Sequence, residues 1–293
     1  MPFATYEDVR PWARAIKEQV LTRRMPKWHA ARGFGAFKND PTLTPIELAM
    51  IVSWVDGGLP RGAKGAAAKG AKGAKGAEGA KGAGAKGAGG AEGAGAKGAL
   101  IRVPASGSDA TVRVGARWIS GWSFEPGDPL ITSATFTLAD GTLVGNWVAG
   151  DPAVRLPSNS AIRISSPLRV RLTRRAPADF EQPYNARASV LRLAIRPKAP
   201  LRRVWTEPVS CNAPRTGRPA ELLAVRPLLE DGGAARLWLE RAGAPKTVVG
   251  WFRDVDARFP RTYWLARPAD FPVDARLAAD ASCNLQLTLV SHR

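Results

Sequence analysis

The side chains that could hold a redox ion or attack a substrate are few in this sequence, and their spacing limits what they could do. Two histidines occur in 293 residues, His29 and His292, together with three methionines, Met1, Met25 and Met50. A centre that draws several imidazoles from one chain is therefore excluded. A serine–histidine–acid triad would have to recruit His29 or His292, and neither stands in a catalytic context. Asp254 and Asp256 are spaced to share one face of a strand, as general acid–base work requires. Arg253 and Arg258 flank them, which favours ion pairing at the surface instead. Cys211 and Cys283 match no metal spacing; they either bond to each other in an oxidising compartment or remain buried thiols.

Aromatic and basic residues are more plentiful. Trp118, Trp122, Trp147, Trp205, Trp238, Trp251 and Trp264, interleaved with arginines, could line a ligand groove or stack bases. Since β-sandwich cores use tryptophan freely, core positions are the expectation. Arg169, Arg171, Arg174 and Arg175 make the densest arginine patch, expected to be a solvated strand edge where charge discourages aggregation. No phosphate-binding loop or credible dinucleotide fingerprint is present. The net charge of +18 favours anionic partners without choosing one. Hydrophobic residues make up 45%, which rules out wholesale disorder.

Positioning elements can be read next. Thr5 with Asp8 forms a capping box, Pro11 suits the first turn of a restarted helix, and Trp12, Ile16 and Val20 repeat on one face. Met25-Pro26 breaks that helix after Arg23-Arg24. Thr44, Pro45 and Glu47 start a second helix whose buried stripe is Leu48, Ile51, Val52 and Val55, and Gly57-Gly58 stops it. Residues 61–99 carry seven lysines, one arginine and two glutamates among glycine and alanine, for a charge of +6. Nothing there can bury a core, glycine does not recur strictly every third residue and proline is absent, so a collagen triple helix is a poor reading. The run reads as a flexible linker; the alternative is an arm that binds an anionic polymer.

From Leu100 the pattern becomes β. Strands are expected over Thr111–Ile119, Leu130–Leu138, Ala161–Leu172, Ala188–Ile195, Leu222–Arg226, Ala235–Glu240, Thr247–Phe252 and Leu285–Val290. Turns are expected at Asp140-Gly141, Asp231-Gly232-Gly233 and Gly243-Ala244-Pro245. The fold class is mainly β, two antiparallel β-sandwiches behind a short helical segment. The domains are 1–60 helical, 61–99 linker, 100–197 first sandwich and 198–293 second sandwich. No stretch of 18 or more apolar residues occurs, so no transmembrane helix is expected, and the first residues lack the basic and apolar regions of a signal peptide.

The run Thr5-Tyr6-Glu7-Asp8-Val9-Arg10-Pro11-Trp12, then Arg23-Arg24-Met25-Pro26-Lys27-Trp28-His29, and Ile51-Val52-Ser53-Trp54-Val55-Asp56-Gly57-Gly58 together resemble a c-type cytochrome module. In bacterial proteins that module is fused to a copper type II, ascorbate-dependent monooxygenase-like region. Phe124-Glu125-Pro126-Gly127 with Trp147-Val148-Ala149-Gly150-Asp151-Pro152 is similar to the first sandwich of that region. Leu223-Ala224-Val225-Arg226-Pro227-Leu228, Trp251-Phe252-Arg253-Asp254-Val255-Asp256, Tyr263 and Ser282-Cys283-Asn284 resemble the second.

The resemblance implies haem c and two copper ions in the family, with Met25 at the distal haem ligand position. It also implies a haem-attachment Cys-x-x-Cys-His shortly before Thr5, where this sequence has none, so Met1 is either internal to a longer frame or the module has shed its haem. A His-His pair is implied where Ile131-Thr132-Ser133-Ala134 stand, and a His-x-His where Arg226-Pro227-Leu228 stand. Copper(II) takes imidazole nitrogen and copper(I) thioether sulfur. No cofactor is therefore expected in this chain, and no catalytic or metal-binding residue is assigned. The expected function is a non-catalytic binding or scaffold module, partnered by an active paralogue or an anionic polymer. The alternatives are electron transfer by a cytochrome whose true start lies upstream, and polyanion binding through the lysine-rich run. The family's relatives are exported oxidoreductases, which implies a periplasmic or extracellular setting.

Overall fold

Each helix begins where the sequence can satisfy its own leading amides. In the computed structural model, α1 (Tyr6–Val9) is capped by Thr5, whose side chain accepts from the Asp8 amide while the Asp8 carboxylate accepts from the Thr5 amide. A 3-10 turn containing Pro11 leads into α2 (Ala13–Leu21). The second capping box, Thr44 with Glu47, opens α3 (Pro45–Asp56), and Gly58 at φ +83° follows its end. The structure describes residues 5–62, 98–105, 107–165, 167–177, 185–213 and 217–292. Most of the expected linker, 63–97, lies outside them.

The chain divides into two units. One joins residues 5–22 with residues 43–62. In it the Lys17 ammonium meets the Asp56 carboxylate at 2.5 Å, and the Tyr6 hydroxyl donates to the Leu59 carbonyl at 2.6 Å. Both expected apolar stripes are half-buried, and only Ala13 is fully buried. The expected helical segment 1–60 is therefore not one body. Residues 23–42 leave it and belong with the β region, because their backbone pairs with strands.

The other unit is mainly β and contains this strap and the described residues from 98 onward. Its strands are β1 (Ala99–Val103), β2 (Asp109–Val112), β3 (Arg117–Glu125), β4 (Ile131–Leu138), β5 (Leu143–Val148), β6 (Val154–Arg155), β7 (Ser160–Ile164) and β8 (Leu168–Arg174). They continue with β9 (Ser189–Arg196), β10 (Arg202–Ser210), β11 (Ala220–Leu228), β12 (Ala235–Glu240), β13 (Thr247–Phe252), β14 (Tyr263–Phe271), β15 (Arg276–Ala279) and β16 (Asn284–Ser291). One long sheet runs β1-β9-β3-β7-β10-β16-β11-β14, with β6 added beside β3. A four-stranded sheet, β2-β8-β4-β5, and a three-stranded sheet, β13-β12-β15, complete the set. The expected runs Thr111–Ile119 and Ala161–Leu172 each split in two. Gly115 at φ +65° breaks the first, and Pro167, which has no amide for a ladder, falls in the break of the second. The Asp140-Gly141 turn joins β4 to β5 as expected, the Asp140 carboxylate accepting from the Thr142 amide at 2.9 Å.

Every pairing in the long sheet is antiparallel except β7 with β10. Across that joint the buried face changes sides. Val204, Leu223 and Val290 belong to a first core with Ile119, Phe136, Leu168 and Leu191. Their sequence neighbours Trp205, Leu222 and Leu289 belong to a second core with Leu237, Phe252, Phe271 and Leu277. Adjacent residues on a strand point to opposite faces, so the two cores lie on opposite sides of β10, β16 and β11.

Cys211 and Cys283 form a disulfide, Cα atoms 5.2 Å apart, at the end of the β10–β16 ladder where Ser210 faces Asn284. It closes a stretch with a sequence separation of 72. Replacing both cysteines by serine is expected to lower the urea midpoint by an amount equivalent to about 2–4 kcal/mol, because the unfolded chain regains that loop's freedom. An unchanged midpoint would show that the ladder alone holds this corner.

Candidate functional site

The strap carries His29 into the β unit. The Ala31 amide donates to the Trp251 carbonyl at 2.7 Å, and the Arg253 amide to the His29 carbonyl at 3.0 Å. Further on, the Lys38 amide donates to Trp264 and the Ala266 amide to Ala36, pinning the strap to β13 on one side and β14 on the other. Gly35, at φ +81°, passes so close to the Val249 carbonyl that a Cβ would sit 2.2 Å from its oxygen. Tyr263 is the hub beneath. Phe252, Trp28 and Phe37 pack on its ring at centroid distances of 4.5, 4.8 and 5.5 Å.

His29 Nδ1 lies 3.4 Å from the Tyr263 hydroxyl, and both side chains are buried. Burial depresses the imidazole below its ordinary value, with Asp256 pulling the other way and Arg261 and Lys27 adding to the depression. Burial likewise raises the Tyr263 phenol, which keeps its proton. A neutral imidazole beside a protonated phenol holds the strap in place.

Arg261 is the charged centre of this region. Its side chain is 1% exposed, its guanidinium is paired with the Asp151 carboxylate, and a second nitrogen donates to the Ala149 carbonyl at 3.2 Å. The Trp28 ring lies 5.6 Å away. Burial pushes the Asp151 carboxyl up even against the attraction of Arg261. Around the pair, the Asn146 amide donates to the Pro260 carbonyl at 2.7 Å and the Thr262 hydroxyl to Asn146 Oδ1 at 2.5 Å. The Asn39 amide donates to the Thr262 carbonyl at 2.8 Å. Residues 146–151, the strap and 260–264 are thus tied by buried and part-buried polar groups.

The residues singled out from sequence scatter around this centre. Met25 is 51% exposed, so it neither fills a core nor faces a buried pocket. His292, beyond the end of β16, lies 3.5 Å from Asp270. Asp254 is exposed. Asp256 is held by both arms of Arg258 at 2.8 Å, which brings its carboxyl down to about 2. That carboxylate serves as an ion-pair anchor, with Lys27 at 3.6 Å. The arginine patch is not an edge: β8 lies between β2 and β4, and Arg174 ties down a loop through Asp128 and the carbonyls of Gly107 and Ala105. Trp122 and Trp147 are core residues, with Trp264 packed against them, whereas Trp118 and Trp205 are half-exposed on the long sheet.

The positions that the resemblance assigns to copper ligands do not fit copper. Ile131, Thr132, Ser133 and Ala134 are all buried in β4, and the Thr132 hydroxyl donates to the Thr173 carbonyl. At the other position the Arg226 guanidinium donates from Nε to the Pro260 carbonyl at 3.1 Å, a cation where a cation would have to bind. Both thiols of the sequence are joined to each other, so neither is free to carry a haem thioether. Among the described residues no group of three or more His, Cys, Asp or Glu side chains could hold a metal ion.

Sequence reasoning missed Arg261, Asp151, Asn146 and Asn39. The ion pair spans 110 residues, and nothing local marks either partner. No family model and no curated protein matches the chain. Among solved structures it is similar to the major capsid protein P2 from Bacteriophage PM2, at 10% identity and a TM-score of 0.33, over 66% of this chain and 96% of that one. Neither fold nor function is carried over from it.

Two outcomes are expected from the polar centre. Asp151→Asn leaves Arg261 buried beside a neutral amide and should cost about 3–5 kcal/mol of stability in denaturant unfolding; a cost within error of zero would show that the pair is dispensable. The second concerns pH. In the fold His29 resists protonation, whereas the unfolded chain takes a proton near the ordinary value of 6.5. Stability is therefore fully present above that pH and is lost as pH falls below it. The urea midpoint should drop between about pH 7 and about pH 5, and His29→Gln should flatten that drop.

Proposed function

We propose that this protein is a non-catalytic binding or scaffold module built on the frame of the copper type II, ascorbate-dependent monooxygenase-like proteins, behind a partial cytochrome-c-like helical segment. On this reading residues 100–197 and 198–293 are two β-sandwiches, one per core, each closed by part of the long sheet and one small sheet. The observation that carries the proposal is Arg226. Its guanidinium stands at an assigned copper-ligand position and is tied to the Pro260 carbonyl, where burial lowers its pKa from the ordinary arginine value, and no imidazole stands beside it in sequence. A fixed cation there opposes a divalent ion and leaves the frame free for binding alone. The Cys211–Cys283 bond supports an oxidising compartment such as the periplasm or the exterior. An active paralogue is the partner this reading assigns.

Metal analysis of purified protein dialysed against copper, followed by oxygen uptake with ascorbate, tests the proposal. Less than about one-tenth equivalent of copper and no ascorbate-dependent uptake are expected, given the missing imidazole and thioether donors. Stoichiometric copper with ascorbate-driven uptake would overturn it.

A further inference from the structure

β7 and β10 run side by side for only three residue pairs, from Ser160 opposite Arg202 to Ile162 opposite Val204. Beyond Val204, β10 continues against β16 as far as Ser210, while β7 continues against β3 to its end at Ile164. The long sheet forks there, and a cavity of about 460 Å³ is lined by residues from both arms. That volume suits a small organic ligand.

The chemistry of the lining is uneven. Ile162 and Val204 are buried and apolar; Trp118 and Trp205 are half-exposed walls. Arg163, Arg203 and Arg218 are exposed at its margin. Trp118 pairs across the ladder with Arg163, and Arg203 stands two residues from Trp205, so these four share one face of the sheet. The guanidiniums of Arg163 and Arg203 lie 5.7 and 5.8 Å from the Trp118 ring centre, which holds both cations at the cavity mouth. Among the described residues none of these three arginines is in an ion pair. The Glu207 carboxylate in the same lining accepts from Trp205 Nε1 at 3.1 Å.

We propose that this fork binds a small organic anion with a flat apolar body, of the aryl carboxylate or aryl sulfonate class. Its head pairs with Arg163 and Arg203, and its body lies against the Trp118 and Trp205 rings on the same face of the sheet. Among the described residues three exposed guanidiniums against one carboxylate leave the lining with an excess of positive charge, which favours an anion over a neutral guest. The two indole walls disfavour a small hydrated ion, which gains nothing there for the water it would lose. The site does not depend on the oxygenase resemblance: stoichiometric copper would sink that reading and leave this one standing.

Calorimetric titration of the full chain with 2-naphthoate, its neutral analogue 2-naphthamide, inorganic phosphate and a single-stranded oligonucleotide provides the test. Naphthoate should bind saturably at one site, with naphthamide and phosphate each weaker by about tenfold or more, the loss expected when a charge-assisted pair or the stacked body is removed. The double variant Arg163→Gln, Arg203→Gln should weaken naphthoate by about tenfold or more, and Trp118→Ala similarly. Arg192→Ala, whose guanidinium pairs with Glu125 away from the cavity, should leave it unchanged. Matching melting curves exclude misfolding of the variants. No binding of naphthoate, equal binding of the amide or of phosphate, tighter binding of the oligonucleotide, or indifference to the arginine pair would each overturn the proposal.

Discussion

The ion pair between Arg261 and Asp151 is where three distant stretches of the β unit meet. A buried guanidinium deprived of its counter-charge destabilises whatever encloses it. Asp151 and the Ala149 carbonyl take up its two terminal nitrogens from the turn after β5, while its Nε stands buried without a hydrogen-bond partner, and Asn146 reaches the same segment through Pro260 and Thr262. The strap answers from the other side with Trp28 against the guanidinium and Asn39 on the Thr262 carbonyl. Polar groups this deep tolerate little displacement, because each partner lost leaves another unsatisfied. The position of His29 against Tyr263, and of the aromatic cluster around it, follows from that anchoring.

Local chemistry was legible in the sequence wherever a short-range rule fixes it. Both capping boxes, the Asp140-Gly141 hairpin and alternating strands such as Ala235–Glu240 are written within a few residues. Strands that break the alternation were not visible. β5, Leu143–Val148, is buried along its whole length and so has no period to read. β10 contains Pro208, and β14 contains Arg267 and Pro268 among exposed positions. The boundary at 60 is written in a change of composition, whereas nothing local marks one at 197. Contacts follow a different logic: aromatic residues of the strap complete a core built 200 residues later.

The candidate sites divide in the same way. Pairing of Asp256 with Arg258 is a two-residue matter and could be expected from the flanking arginines. The burial of His29 could not, because its environment comes from β13, β14 and the loop before Tyr263. Nor could the role of Trp118 and Trp205 be separated from that of Trp122 and Trp147 by residue type. What distinguishes them is the short parallel pairing of β7 with β10, a topological fact that composition does not encode.

The change of buried side across that joint bears on how the β unit can come apart. Val204, Leu223 and Val290 lie late in the chain yet fill the core whose other members precede them. Severing the polypeptide between 197 and 198 would strip those aliphatic groups from the earlier half and bare the reverse of β10 in the later one. Two fragments so made would each have a wound where the other had been its lid, so the halves are built to melt as a single piece.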